Sequence, residues 1–312
     1  MKGLSAFLCI ALFFCTSCAD TQSLEDSSTD QILHRLQELT NLKTRAEIDD
    51  DLPTFLSFYQ ANAISMAEYQ PTLDGTAEIE AFYREIFHRQ DVVSYQKEIE
   101  EVFELDSIVL EIGTFKKDFR SAVGDTLTNQ SGKYWHVWEL LPSGDMKLQG
   151  EAFGFFHPVD DPTSLSVHFE KTEWDQVRTG ARPGRDFPFE LRAYNALMER
   201  GVRERDGAFR AQFFTDDGRF MPFAEPTLNG MNEIKPYLIG YSSRGEVNID
   251  SISCFTYDYR YFDDFVLEYA MFRVRWTSNS YKGRTEGKGI RLWKRMEDNS
   301  LRLHREIGTH NL

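Results

Sequence analysis

The residue whose type and setting best suit proton transfer is His136, at the centre of the strand-like run Tyr134-Trp135-His136-Val137-Trp138. Alternation along an extended chain puts it on the face that carries Tyr134 and Trp138. In a dry pocket such an imidazole can take or give a proton, exchanging near its free value of about 6.5. A core histidine with a satisfied hydrogen bond is the plainer account of the same pattern. Trp135 and Val137 make the opposite face apolar too, so alternation does not say which face would line a pocket.

Asp51 is a second, weaker candidate base, although its place before Leu52-Pro53 suits a helix cap or a first-turn acid that favours the helix dipole. Glu151 is a third acid, read as solvated or at an interface. The seven histidines are scattered, and no phosphate-cradling glycine loop, paired-histidine zinc motif or nucleophile elbow occurs. The pattern therefore offers no metal site and calls for no cofactor. Cys254, in Ile252-Ser253-Cys254-Phe255, reads as a small buried apolar residue rather than a reactive thiol.

The elements that must position these residues come in two copies. Pro71-Thr72-Leu73-Asp74-Gly75-Thr76-Ala77-Glu78-Ile79 matches Pro226-Thr227-Leu228-Asn229-Gly230-Met231-Asn232-Glu233-Ile234 at six of nine positions, 155 residues apart. The same offset pairs Asp51 with Asp206, Phe58 with Phe213, Met66 with Met221, Gly132-Lys133 with Gly287-Lys288, Trp138 with Trp293, Leu148 with Leu303 and Glu151 with Glu306. Blocks that keep one register indicate duplication of a whole domain. His136 then matches Arg291, whose guanidinium cannot serve as a base. If both face inward, Arg291 favours an anionic ligand, and any catalysis belongs to the first copy. Tyr134, His136, Trp138, Arg291 and Trp293 are the candidate pocket residues. Glu306 falls on the face of His304 by alternation.

Each copy reads as helices followed by strands. Ile32, Leu33, Leu36 and Leu39, and in the second copy Leu191, Tyr194, Leu197 and Met198, recur at helical spacing. Short helices are predicted around Leu52 to Tyr59 and Ala208 to Phe214, and a third in each copy after Gly75 and Gly230. The runs Phe255 to Tyr261, Val266 to Trp276, Gly287 to Met296 and Leu301 to Ile307 predict antiparallel strands. Between the copies, residues 158–188 are dense in breakers and read as a linker, within which Ser166-Val167-His168-Phe169 could add a strand. The fold class is α+β, with about three helices of each copy on a strongly curved antiparallel sheet.

The second copy's Gly230 and Glu233-Ile234, then Gly287-Lys288, Trp293, Lys294-Arg295, Asp298 and the closing strand Leu301 to Ile307, resemble a SnoaL-like domain of the nuclear-transport-factor-2-like superfamily. The resemblance spans about 120 residues in each copy and rests on turn and core residues. It implies two tandem cone-shaped domains, 30–157 and 189–312, each with a pocket between sheet and helices. In enzymes of this kind a pocket carboxylate or histidine moves protons, helped by tyrosine or an acid.

Residues 1–17 have the layout of an export signal: Lys2, the apolar run Leu4 to Phe14, then Cys15-Thr16-Ser17 before Cys18. The apolar run is too short to span a bilayer, which takes ~20 residues. Ser17-Cys18 resembles the lipobox of bacterial lipoproteins, which implies lipidation at Cys18, a polar tether over 18–29 and an anchored protein of the cell envelope. A net charge of −15 disfavours nucleic acid and anionic lipid, leaving the lipid as the membrane contact. An aromatic share of 14% supplies a sizeable core.

The function expected from these readings is binding of a small, largely apolar molecule, with no reaction assigned. The alternatives are a lyase or isomerase using acid–base catalysis in the first domain, and an interaction scaffold with filled pockets. A sheet buried on both faces would follow if the copies pack sheet to sheet as an intrachain pseudo-dimer.

Overall fold

The computed structural model describes residues 19–121, 126–167 and 181–311, with side chains from residue 30 onward. The proposed signal, Cys18, and His168-Phe169 lie outside the described residues. Helix α1 (Ala19–Ile48) runs through the stretch read as a polar tether. No Gly or Pro interrupts Ala19 to Ile48, so nothing local stops the helix. Its residues up to Leu39 form one compact unit, and Thr40–Leu312 a second. No described helix is long and apolar enough to cross a membrane.

Within the second unit the first copy holds α2 (Leu52–Ser57), β1 (Tyr59–Ala67), β2 (Leu73–Asp74), α3 (Thr76–Arg89) and four long strands, β3 (Gln90–Leu105), β4 (Ile108–Ser121), β5 (Leu127–Leu140) and β6 (Met146–Phe155). The other copy repeats the order with α4 (Phe189–Arg203), α5 (Gly207–Ala211), β7 (Phe214–Met221), β8 (Leu228–Asn229), α6 (Met231–Ser243), β9 (Asn248–Tyr261), β10 (Phe265–Ser278), β11 (Tyr281–Arg295) and β12 (Leu301–His310). The two six-stranded sheets have one strand order, β2-β1-β6-β5-β4-β3 and β8-β7-β12-β11-β10-β9. The fold is therefore α+β and duplicated. The sheets are antiparallel except where β1 meets β6 and β7 meets β12 in parallel. The whole of α3 and the meander lies between β1 and β6, long enough for such a crossover.

The repeated nonapeptide is a helix start. Gly75 and Gly230 sit at the N-caps of α3 and α6 with φ of 88° and 72°, a region that suits glycine. Glu78 and Glu233 each reach back to accept from a backbone amide, of Asp74 at 3.0 Å and of Asn229 at 2.7 Å, as in a capping box. Both copies also bulge at the same place, between Val137 and Trp138 and between Leu292 and Trp293.

The opposite faces of β5 have different fates. Trp135 and Val137 join Ile64, Met66, Leu110 and Ile112 in one hydrophobic cluster with Leu267, Tyr269, Ile290, Leu292 and Ile307 of the second sheet. Gly150 permits close contact there, since a Cβ would lie 2.2 Å from the Tyr269 hydroxyl. The other face, with Tyr134, His136 and Trp138, belongs to the first copy's own interior.

Of the segment read as a linker, the described part contains a 3-10 turn, Pro162–Ser164. Ser166 and Val167 are not in a strand; Gln70 holds Val167 through both its amide groups. Beyond the undescribed residues, Arg182 pairs with Asp74 and with Asp258.

Candidate functional site

His136 lies in a row of three residues on adjacent strands. Register places Glu111 of β4 opposite His136, and His136 opposite Glu151 of β6. All three are buried. Glu111 accepts from the Tyr134 hydroxyl at 2.7 Å, Trp138 Nε1 at 2.7 Å and Thr40 Oγ1 at 2.9 Å. Glu151 accepts from Ser65 at 2.8 Å, Tyr59 and Tyr83 at 2.9 Å each and Lys43 at 3.4 Å. The Lys43 ammonium also lies over the Phe55 ring, 4.2 Å from its centroid. A second buried ion pair joins Lys117 to Glu47 at 2.6 Å.

Burial alone would push both carboxyls up. For Glu111 it is outweighed by His136, by the Tyr134 hydrogen bond and by Lys97, which hold the group at about 2. For Glu151 Lys43 leads the opposing effects, and the group is likewise held at about 2. Burial, reinforced by Lys97, lowers His136 to about 4, below the 6.5 of a free imidazole. At neutral pH the row thus reads carboxylate, neutral imidazole, carboxylate.

An ionised carboxylate can only accept, so the Nδ1 of His136, 3.4 Å from Glu111 Oε2, carries the hydrogen. Nε2 is left with a lone pair, and Lys97 Nζ stands 3.2 Å from it. Lys97 comes from β3, opposite Phe115, and its ammonium lies 4.6 Å from the centroid of the Tyr134 ring. Burial, then the charge of Lys43, lower it to about 7. Unlike Lys43 and Lys117, it has no carboxylate within ion-pair distance among the described residues.

A cavity of about 50 Å³ opens beside these groups. Lys97, His136 and Tyr134 line its polar side together with Lys43, Lys117, Glu47, Glu68 and Glu151, and Phe82, Phe115 and Phe153 are among the residues of its aromatic side. At ~10–15 Å³ per water, it holds roughly three to five water-sized groups, far less than the ~300–1,000 Å³ of many ligand sites. No group of three His, Cys, Asp or Glu among the described residues is arranged to hold a metal ion.

The second copy builds the same row with a different centre. Glu268 of β10 faces Arg291 of β11, which faces Glu306 of β12. Arg291 Nε donates to Glu306 at 2.7 Å, and Nη1 donates to Asn195 at 3.1 Å and lies 3.5 Å from Glu268. Trp293 Nε1 donates to Glu268 at 2.8 Å, as Trp138 does to Glu111. The expectation that Arg291 would serve an anionic ligand meets a guanidinium already engaged by two carboxylates.

Of the other residues singled out by sequence, Asp51 is the exposed N-cap of α2 and accepts from the Thr54 amide at 3.1 Å, apart from the row. Asp206 caps α5 through the Phe209 amide at 2.8 Å. Glu151 and Glu306 are interior rather than solvated. His304 does not share the surroundings of Glu306, because a bulge between Leu303 and Arg305 breaks the alternation, and its ring packs against Phe103 and Phe265. In α4 Leu197 is exposed, while Asn195 is buried along with Leu191, Glu199 and Gly201 and donates to Glu268 at 3.1 Å. Burial pushes the Cys254 thiol up to about 12, as suits a packing residue.

No family model matches the chain, and no curated protein matches it in sequence. Among solved structures it is similar to a ketosteroid isomerase-like protein of Erwinia carotovora atroseptica SCRI1043, with 14% identity, a TM-score of 0.37, and 39% of this chain and 94% of that one covered. It is also similar to a nuclear transport factor 2-like superfamily protein of Salmonella enterica serovar Typhimurium LT2, with 9% identity, a TM-score of 0.37, and 41% of this chain and 92% of that one covered. A third, assigned as a SnoaL-like polyketide cyclase, is from Shewanella denitrificans OS-217, with 17% identity, a TM-score of 0.29, and coverage of 38% and 87%. At these values the likeness says nothing of an activity in this chain.

Proposed function

We propose that the first domain is a binding site for a small molecule that places an acceptor oxygen at Lys97 and its apolar part against the aromatic side of the cavity. The observation that carries this reading is the placement of Lys97: an ammonium facing a cavity, half-buried, with an imidazole and a tyrosine ring beside it and, among the described residues, no carboxylate in ion-pair contact. A cation so placed is incompletely satisfied, and a carbonyl or carboxylate oxygen would complete it. The cavity's size limits the ligand to a few heavy atoms. In this reading the second domain keeps the fold and binds nothing at the equivalent place, because the Arg291 side chain meets the need of the row internally.

The test is saturation-transfer NMR with acetate and acetone, each of four heavy atoms, on the wild type and on Lys97→Met. Transfer should be seen with the wild type and be lost in the variant. Equal transfer in both would refute the role of Lys97. The reading includes export and anchoring through Cys18, supported by the sequence of residues 1–18; Cys18→Ser should move the protein out of the membrane fraction, and continued membrane association would refute it.

A further inference from the structure

We propose that Lys97 is a nucleophile which forms an imine with a small aldehyde or ketone held in the first-domain cavity, with His136 carrying the protons. This deepens the binding reading above and rests on it. The geometry separates the half-buried Lys97 from the buried lysines. Lys43 and Lys117 are committed to Glu151 and Glu47. Lys133 donates to the carbonyls of Phe155, Pro222 and Glu225 at 2.6, 2.6 and 2.8 Å, and Lys288 donates to the His310 carbonyl and Asn311 Oδ1. Neither of those two lines the cavity. Lys97 does, and its polar contact is a group that can accept a proton.

The step balances within these residues. Neutral Lys97 Nζ adds its lone pair to the carbonyl carbon, and the C=O π pair moves to oxygen. His136 Nε2, held ready by the Nδ1 contact to Glu111, takes a proton from nitrogen and returns it to that oxygen, giving the carbinolamine. The nitrogen lone pair then expels the hydroxyl, which takes the second nitrogen proton by the same route and leaves as water. Carbonyl compound and amine become imine and water, and His136 ends as it began. Lys97 is partly neutral at neutral pH because burial and the neighbouring Lys43 lower it to about 7, a way of activating lysine amines.

The experiment is to incubate the protein with acetone near neutral pH, add sodium borohydride, digest, and locate the modified lysine by mass. Reduction delivers hydride to the imine carbon, so the Lys97 peptide should gain the mass of acetone less one oxygen atom. A lysine near 7 carries roughly 10³-fold more free amine at neutral pH than one near 10.4, so Lys97 should exceed any surface lysine by about 10²-fold or more. Lys288, also lowered to about 7 but without access to the cavity, is the internal control and should stay unmodified. Lys97→Arg, which keeps the charge, should abolish the label, and His136→Gln should slow its appearance by about 10²-fold or more.

Label spread evenly over surface lysines, or favouring Lys288, overturns the proposal. The acetone saturation-transfer measurement without borohydride separates the two ideas. Transfer that depends on Lys97 but gives no trapped adduct overturns the imine and leaves the binding reading standing. No transfer and no adduct overturns both.

Discussion

Replacing Glu111 by Ala removes the acceptor of three short hydrogen bonds, from the Tyr134 hydroxyl at 2.7 Å, Trp138 Nε1 at 2.7 Å and Thr40 Oγ1 at 2.9 Å, as well as the partner of His136 Nδ1 at 3.4 Å. Hydrogen bonds to a charged group contribute ~1.5–3 kcal/mol each. The three together set an upper bound of roughly 5–9 kcal/mol, which relaxation and water entry reduce toward the ~3–5 kcal/mol typical of a broken buried ionic site. At ~2–4 °C per kcal/mol, the melting temperature should fall by about 6–20 °C. Glu111→Gln discriminates between this account and simple loss of volume. Its amide oxygen can keep facing Trp138, which only donates, while its NH₂ faces Tyr134 and Thr40, whose hydroxyls can rotate to accept. The Gln variant should therefore lose no more than about half of what Ala loses. Thermal melts followed by circular dichroism measure both. If Ala stays within about 1 kcal/mol of the wild type, or Gln is as damaging as Ala, the carboxylate does not hold the row as described.

Groups whose folded values are lowered contribute stability that is complete above their unfolded values and is lost as pH falls, between about 6.5 and 4 for His136 and between about 4.5 and 2 for Glu111 and Glu151, whereas Glu68, pushed up to about 7 by burial, acts in the opposite sense between about 7 and 4.5. Because His304 and His310 are also lowered to about 4, His136 is read from the difference: from pH 7 to 4 the urea midpoint of His136→Asn should fall less than that of the wild type, and parallel profiles would show that His136 does not couple its protonation to folding. Gly150→Ala should destabilise by ~1–3 kcal/mol through its clash with Tyr269, whereas Gly240→Ala, in helix α6 with nothing within 4 Å of its Cβ, should stabilise by ~0.4–1 kcal/mol in the same melts. Arg291→Ala should lower stability by ~3–5 kcal/mol by leaving Glu268 and Glu306 without their cation, while acetate binding in the folded variant is unchanged; weakened acetate binding would restore Arg291 as a ligand residue.

What the sequence made legible was whatever kept its periodicity and offset. The helix starts at Gly75 and Gly230, the aromatic strands and the duplication all appear in the structure, because turn chemistry and alternation act locally. His136 and Arg291 were visible as a pair for the same reason. Glu111 and Glu268 were not, because they lie 157 residues apart: His136 follows Glu111 by 25 residues, whereas Arg291 follows Glu268 by 23, so the hairpin is two residues shorter in the second copy. A usable signal was nonetheless present, a lone carboxylate in each of two apolar runs, Val109-Leu110-Glu111-Ile112 and Val266-Leu267-Glu268-Tyr269. Lys97 was hidden differently, since Gln96-Lys97-Glu98 reads as solvated strand and only the packing of β3 beside Tyr134 turns it inward.

The shorter hairpin also changes which residues are equivalent, and this explains why one scaffold yields an open site and a closed one. Pairing register, with the same one-residue bulge in β3 and β9, places Cys254 where the first copy has Lys97. The helix offset fixed by Thr40 and Asn195, both donors to the buried β4 or β10 carboxylate, places Met198 where the first copy has Lys43. Lys97 and Lys43 are thus both replaced by uncharged side chains in the second copy. Two buried carboxylates still require positive charge. The second copy supplies it at the centre, through Arg291, with Arg210 acting electrostatically on Glu306. The first copy supplies it from the sides, through Lys43 and Lys97, and can leave its central His136 neutral. A central guanidinium spends its donors on the row itself, whereas a lateral ammonium touches the row from the cavity side and keeps donors for whatever enters. The exchange of His136 for Arg291 is therefore inseparable from the loss of the two lysines. Arg291→His alone should leave the second row short of charge and destabilised, while adding Met198→Lys should recover part of the loss. A double variant no more stable than the single one would show that charge balance does not link these positions.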